Sequence, residues 1–226
     1  ERAKLCERAN INAAEEILRS TTAEQRRAGT LLWLQKALNL PEYPERIEAF
    51  DVSNLGDTGI VAAMTVHKDG KPLKRDYRKF RIKDMEIRDD YASMRQAVER
   101  RFARYKNGDE RFNNLPQLLL IDGGITHSQA AKGVLDELGL FVPVFGMVKD
   151  DRHRTRALVT SEGREIGIQG YQAVFSLVGQ IQEETHRFAI EFHRQQQNIS
   201  AHCETKASDR SFRKLGAWEK NARTSF

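Results

Sequence analysis

Apolar residues follow helical spacing at the start of the chain and strand spacing after it. Leucine and isoleucine recur at helical intervals through residues 1–39, and the two prolines of Leu40–Pro44 end that helix. Three apolar or alternating segments come next, and Asp69-Gly70 predicts a hairpin turn between the second and third. The three predicted antiparallel strands are Arg46–Ser53, Ile60–His67 and Asp76–Ile82.

The second half of the chain alternates helical and strand patterns. The first strands are joined by hairpins and the later strands by helices. This order predicts an α/β fold with a mixed sheet flanked by helices. This order of elements resembles that of ribonuclease-H-like nucleases. A further hairpin around Ser161–Gly163 precedes the last helix. The predicted helices run from Asp89 to about Tyr105, from Thr126 to Leu138 and from Gln172 to Gln196, and the predicted strands are Leu115–Ile121 and Val142–Val148.

Length and composition favour one large domain with extensions. The 226 residues are 39% hydrophobic and 31% charged, which allows a core beneath a polar surface. We predict a helical segment over residues 1–40, a ribonuclease-H-like domain over 41–197 and a flexible, basic, polar tail over 198–226. No apolar run approaches the roughly 18 residues of a membrane span, and two cysteines exclude a disulfide framework. A cytoplasmic protein without membrane contact is therefore expected.

The formal net charge of +5 is unevenly distributed. The segment Lys68–Arg111 alone holds 15 basic and 9 acidic residues, so the rest of the central region is correspondingly acidic. A basic segment next to an acidic region fits a protein that binds phosphates in one place and metal ions in another. Charge alone, however, favours a merely solvated surface.

Two aspartates stand at unusual places in apolar strands. Asp51 follows Ile47, Ala49 and Phe50, where a carboxylate is costly to bury unless it is paired or binds a cation. Asp122 ends the run LLLID before two glycines. If the two strands are neighbours, both carboxylates lie near one sheet edge and suit Mg²⁺ or Mn²⁺. A buried salt bridge for the first and a turn-forming role for the second are the alternatives.

The last helix and the start of an earlier one carry further candidates. His186 and His193 share one flank of an apolar helical stripe, where a histidine could ligate a metal or activate water. On periodicity alone, a hydrogen-bonded boundary histidine is favoured. The Asp89-Asp90 pair either caps its helix or supplies a third carboxylate.

Five sequence strings then occur in one order, and together they are specific. They are RIEAFDVSNLGDTGIVAAMTV, RDDYASMRQAVERRF, LPQLLLIDGGITHSQAA, LGLFVPVFGMVKD and ETHRFAIEFHR. Over roughly residues 10–194 the chain resembles the C-terminal nuclease half of UvrC, a component of the bacterial UvrABC excision nuclease. The resemblance implies a ribonuclease-H-like fold and metal-dependent incision of DNA on the 5′ side of a lesion. It implies catalytic roles for Asp51, Asp122, His186 and Asp90, with Mg²⁺ or Mn²⁺ held by the first two.

The resemblance also implies partners. These are damaged double-stranded DNA and UvrB, another component of the excision nuclease, the latter through a docking segment that these residues do not contain. Residues 198–226 also lack the glycine hairpins of the family's helix-hairpin-helix modules, so we expect weak catalysis by this chain alone. The basic residues predicted to contact DNA are Lys79, Arg81, Arg100, Arg101, Lys149 and Arg187.

Two other functions stay open at this point. The strings DVS and GMVK, with a Gly-Gly turn followed by His127, resemble endonuclease V, a single-protein repair nuclease. A non-catalytic ribonuclease-H-like module that binds DNA or a partner is the second alternative.

Overall fold

The computed structural model describes Cys6 and residues 22–54, 60–82, 89–150 and 155–191. Helix α1 covers residues 22–38 and helix α4 covers residues 172–191. Between them lie β1 (Arg46–Asn54), β2 (Ile60–Lys68), β3 (Lys71–Pro72), β4 (Arg78–Arg81), α2 (Asp90–Lys106), β5 (Leu118–Asp122), α3 (Ile125–Glu137), β6 (Val144–Lys149), β7 (Thr155–Thr160) and β8 (Glu165–Gly167).

The strands form one mixed sheet in the order β3-β2-β1-β5-β6-β7-β8, and β4 also pairs with β2. Strands β1 and β2 are antiparallel, whereas β1, β5 and β6 are parallel to one another. In the β1–β5 register, Phe50 lies opposite Ile121. The predicted mixed sheet is confirmed, and so is the condition that the two aspartate-bearing strands be neighbours.

Helices cover both faces of the sheet. Residues of α2 and α3, such as Met94 and Val134, pack on one face, and residues of α1 and α4, such as Leu34 and Ile181, pack on the other. The central strand β5 is therefore buried on both sides, which explains its unbroken run of leucines. Among the described helices, none combines the length and hydrophobicity that a membrane span requires.

The third predicted strand differs from the observed backbone. Within the segment predicted as one strand over Asp76–Ile82, only β4 (Arg78–Arg81) is a strand, and it pairs with β2. It is preceded by the short strand β3, which also pairs with β2, and by a 3-10 turn at Lys74–Asp76. The turn is held in place because the Arg46 guanidinium donates to the Asp76 carboxylate at 2.6 Å. The predicted hairpin turn at Asp69-Gly70 is confirmed, with φ values of 51° and 70°.

Several predictions lie outside the described residues. These are the helix before residue 22, apart from Cys6, the last residues of the final helix including His193, and the tail over 198–226. The domain boundary at residue 40 stays a prediction, although Leu31 and Leu34 of α1 are fully buried against the same core as the sheet.

The burial of Arg101 corrects the prediction that this residue contacts DNA. Its side chain is fully buried on α2, where it donates to both Glu48 oxygens at 2.8 and 3.0 Å and to the carbonyl oxygens of Phe112 and Asn114. A guanidinium enclosed in this way has no surface left for a DNA phosphate. Arg101 is therefore part of the core.

Candidate metal centre

The two aspartates predicted from strand patterns meet at one edge of the sheet. The parallel register that pairs Phe50 with Ile121 places Asp51 of β1 beside Asp122, the last residue of β5. Helix α4 crosses the same edge, and His186 Nδ1 lies 3.1 Å from Asp51 Oδ2. Asp51, Asp122 and His186 each offer one ligand atom, and these three atoms lie within 4.8 Å of one another.

Holding two charged carboxylates close together in a buried place is energetically unfavourable unless a cation lies near them. Asp51 is only 6% exposed. Burial raises the pKa of the Asp51 carboxyl, and the negative charge of Asp122 raises it further, while His186 and Lys149 oppose the shift. A bound cation would relieve the same repulsion that now favours a proton on Asp51.

Asp122 is held by two side chains besides its own strand. The Lys149 ammonium, at the end of β6, lies 2.9 Å from Asp122 Oδ1 and 3.1 Å from Oδ2. The amide of Gln182, on α4, donates to Oδ1 at 3.4 Å. The Thr155 hydroxyl in turn donates to Gln182 Oε1, and this bond sets which end of the amide faces Asp122.

Two glycines allow the loop after Asp122 to pack closely. A Cβ on Gly146 of β6 would lie 2.5 Å from the Gly123 carbonyl oxygen, and a Cβ on Gly123 would lie 2.7 Å from the His127 ring. Both positions therefore require the absence of a side chain. The Gly123-Gly124 turn thus lies directly against β6 and α3.

The donor set fits a hard divalent cation. The two carboxylates are oxygen ligands of the kind that Mg²⁺ and Mn²⁺ prefer, whereas an imidazole is more typical of transition-metal ions. The His186 side chain is 55% exposed, so the site has an open side toward solvent.

Asp90 is not brought to this centre. It is the first residue of α2 and is exposed, while the Asp89 carboxylate caps the helix by accepting from the amides of Tyr91 and Ala92. Within the described residues, the group with metal-ligand spacing comprises Asp51, Asp122 and His186.

The basic side chains predicted to contact DNA have different surroundings in the structure. The Lys79 ammonium lies 4.1 Å from the centroid of the Phe188 ring, two residues beyond His186. Arg187 pairs with Glu184 and Glu191 on α4. Arg100 donates to the carbonyl oxygen of Arg81, and both residues are exposed or partly exposed. Lys149 lies within the centre itself.

Gln182 and Thr155 were missed by the sequence reasoning. Both are buried, at 6% and 1% exposure. Two features of the sequence could have indicated them. Gln182 is an uncharged polar residue inside the apolar stripe of α4, next to Ile181, and Thr155 is a threonine at a core-facing strand position.

A family model described as the UvrC RNase H endonuclease domain matches residues 35–190. The chain belongs to this family. Among its relatives, UvrABC system protein C of Caldanaerobacter subterraneus subsp. tengcongensis is 46% identical over 201 residues, which cover 83% of this chain and 32% of the relative. The protein of the same name from Caldicellulosiruptor saccharolyticus is 42% identical over 195 residues, which cover 86% of this chain and 32% of the relative.

The chain spans about a third of the length of these UvrC relatives. Among solved structures, human ENDOV is similar with a TM-score of 0.43 and 11% identity, over 71% of this chain and 90% of that one. The expected membership of the UvrC family and the expected ribonuclease-H-like fold are confirmed by the family match and the mixed sheet. All three residues of the metal centre lie inside the matched range.

Proposed function

We propose that this chain is a divalent-metal-dependent endodeoxyribonuclease of nucleotide excision repair, which hydrolyses a phosphodiester on the 5′ side of a lesion. The observation that carries the proposal is the convergence of Asp51, Asp122 and His186 at one sheet edge in a chain of the UvrC nuclease family. The family match supports the endonuclease class, and the donor set supports the metal.

Asp51 and Asp122 would hold the cation. A bound Mg²⁺ or Mn²⁺ ion supplies a water of lowered pKa and stabilises negative charge on the phosphate. Lys149 and Gln182 orient Asp122 through their contacts with its two oxygens. The carboxylate of Asp51 lies at hydrogen-bond distance from His186 Nδ1 and so holds the imidazole ring in place beside it.

His186 is the residue best placed to handle a proton. Its ring is more than half exposed while one nitrogen contacts Asp51, so the ring can accept a proton from an attacking water on the open side of the centre. Asp90 is proposed as a further catalytic residue on the resemblance alone.

The exposed cations around the centre would position the DNA backbone. Lys79 and Arg187 supply positive charge near His186, Lys149 supplies it at the centre, and Arg81 and Arg100 supply it on β4 and α2. Damaged double-stranded DNA is the proposed substrate. The UvrB component of the excision nuclease is the proposed protein partner, through a segment outside these residues, and the cytoplasm is the proposed location.

The test is nicking of lesion-bearing and bubble duplexes with Mn²⁺ or Mg²⁺, compared with the same reaction in chelator. Asp51→Ala should reduce nicking by about 100-fold or more, because it removes a ligand and a charge from the reacting centre. Asp136→Ala is the matched control, since that carboxylate is exposed on α3 and pairs only with Lys132 in the described residues. Equal nicking by the wild type and Asp51→Ala would refute the proposal.

Two further results would favour the alternative functions. Efficient cleavage beside deoxyinosine by this chain alone would favour a nuclease of the endonuclease V type. Absence of Mn²⁺ binding in titration calorimetry would favour a non-catalytic DNA- or partner-binding module.

A further inference from the structure

A cavity of about 400 Å³ opens beside the metal centre. It lies between α4 and the facing ends of β6 and β7, and Lys149 and His186 border both the cavity and the centre. A ligand in this cavity would therefore lie next to a group bound at the centre. The volume is within the range of sites for small organic ligands.

The walls of the cavity combine an aromatic ring with hydrogen-bonding groups. Phe175 contributes a partly buried ring, and the exposed Gln180 and Glu183 contribute an amide and a carboxylate. A flat heterocycle with donors and acceptors along its edge matches these walls better than an aliphatic or multiply charged ligand does. The Lys149 ammonium at the mouth is suited to a phosphate oxygen.

We propose that this cavity receives the base of the nucleotide next to the scissile phosphate, taken out of the DNA stack. The inference rests on the proposed function, because it places the phosphate at the centre formed by Asp51 and Asp122. Extruding a base costs least where it is damaged, mismatched or unpaired. The cavity would then make the enzyme prefer DNA whose stacking is weakened at the cut, such as a bubble, over a fully paired duplex.

Gly179 offers a way to fill the cavity without disturbing the fold. It lies on the cavity side of α4, and a Cβ added there would meet no other atom within 4 Å. Gly29 on α1 has the same open surroundings and lies away from the cavity lining. Leucine at either position also favours a helix more than glycine does. Gly29→Leu is therefore a matched control for Gly179→Leu.

The experiment measures binding separately from cleavage. The wild type, Gly179→Leu and Gly29→Leu are titrated against a fluorescein-labelled bubble duplex and a fully paired duplex by fluorescence anisotropy, with Ca²⁺ in place of the active metal. Thermal unfolding and Mn²⁺ titration calorimetry confirm that fold and metal site are intact. We expect Gly179→Leu to bind the bubble roughly 10-fold more weakly, within the range for loss of one stacked base. Gly29→Leu should bind it like the wild type, and the paired duplex should not distinguish the variants.

The outcomes separate this inference from the proposed function. If Gly179→Leu binds the bubble as well as Gly29→Leu does, or if the wild type shows no preference for the bubble, the cavity is not a base site. The nuclease function stands in that case provided that Asp51→Ala abolishes nicking. A selective loss of bubble affinity in a protein that does not nick DNA would support the base site and refute the nuclease. If Gly179→Leu unfolds, Gln180→Ala replaces it, and an unchanged bubble affinity then overturns the inference.

Discussion

Glu48 is a buried residue of β1 that pairs with two arginines. Its Oε1 accepts from Arg46 Nε at 2.9 Å and from an Arg101 terminal nitrogen at 2.8 Å, and its Oε2 accepts from Arg101 Nε at 3.0 Å. The side chains of Glu48 and Arg101 are both 0% exposed. Water cannot take the place of Glu48, so neutralising this carboxylate leaves Arg101 as an uncompensated buried charge.

We expect Glu48→Gln to lower the free energy of unfolding by about 3–5 kcal/mol, the usual cost of breaking a buried ion pair from one side. Because domains of this kind are typically stable by only about 5–15 kcal/mol, the loss is large enough to measure in urea titrations followed by circular dichroism. Glu137→Gln is the control. Its carboxylate is 62% exposed and lies 2.7 Å from Arg95, and exposed pairs of this kind contribute at most about 1 kcal/mol.

A second set of variants tests whether the unpaired buried charge causes this loss of stability. The double variant Glu48→Leu with Arg101→Met removes both charges and should recover much of the stability that Glu48→Gln loses, because Arg46 keeps its partner Asp76. Arg101→Met should leave DNA affinity per folded molecule unchanged, because this guanidinium does not reach the surface. Glu48→Gln and Glu137→Gln differing by less than about 1 kcal/mol would refute the reasoning.

Three further perturbations test the centre and the core. Gln182→Met removes the amide that links Thr155 to Asp122, so Mn²⁺ affinity in titration calorimetry should fall about 10–100-fold, and an unchanged affinity would contradict an orienting role. Lys149→Met removes a positive charge 2.9 Å from Asp122, so Mn²⁺ should bind more tightly while nicking slows; parallel loss of both would indicate a merely structural lysine. Burial lowers the pKa of His67 from 6.5 to about 4, and the unfolded chain therefore takes up the proton first. Above pH 6.5 this histidine does not lower the free energy of unfolding. As the pH falls from 6.5 to 4, the free energy of unfolding decreases by about 3 kcal/mol. His67→Gln should flatten that part of the stability curve, and an equal slope would rule out this histidine as the source.

The sequence by itself determined β1 and β5 and the two carboxylates that they carry. Apolar runs of strand length predicted β1 and β5, and a carboxylate at or near the end of each run was conspicuous because burying a charge there is costly. Parallel neighbours bring such ends to the same edge, so the meeting of Asp51 and Asp122 followed once the strands were adjacent. Even here, the adjacency itself was an assumption until the sheet order was known.

Tertiary structure alone decided which groups contact these carboxylates. Helical spacing placed His186 on one flank of α4, but nothing local indicates that this flank crosses the end of β1, 135 residues earlier in the chain. Arg100 and Arg101 are adjacent in sequence, yet one is partly exposed and the other is enclosed by Glu48, 53 residues away. The physical reason is that spacing along a helix or strand sets the direction in which a side chain points. The partner that it meets is set by how segments distant in the chain pack together.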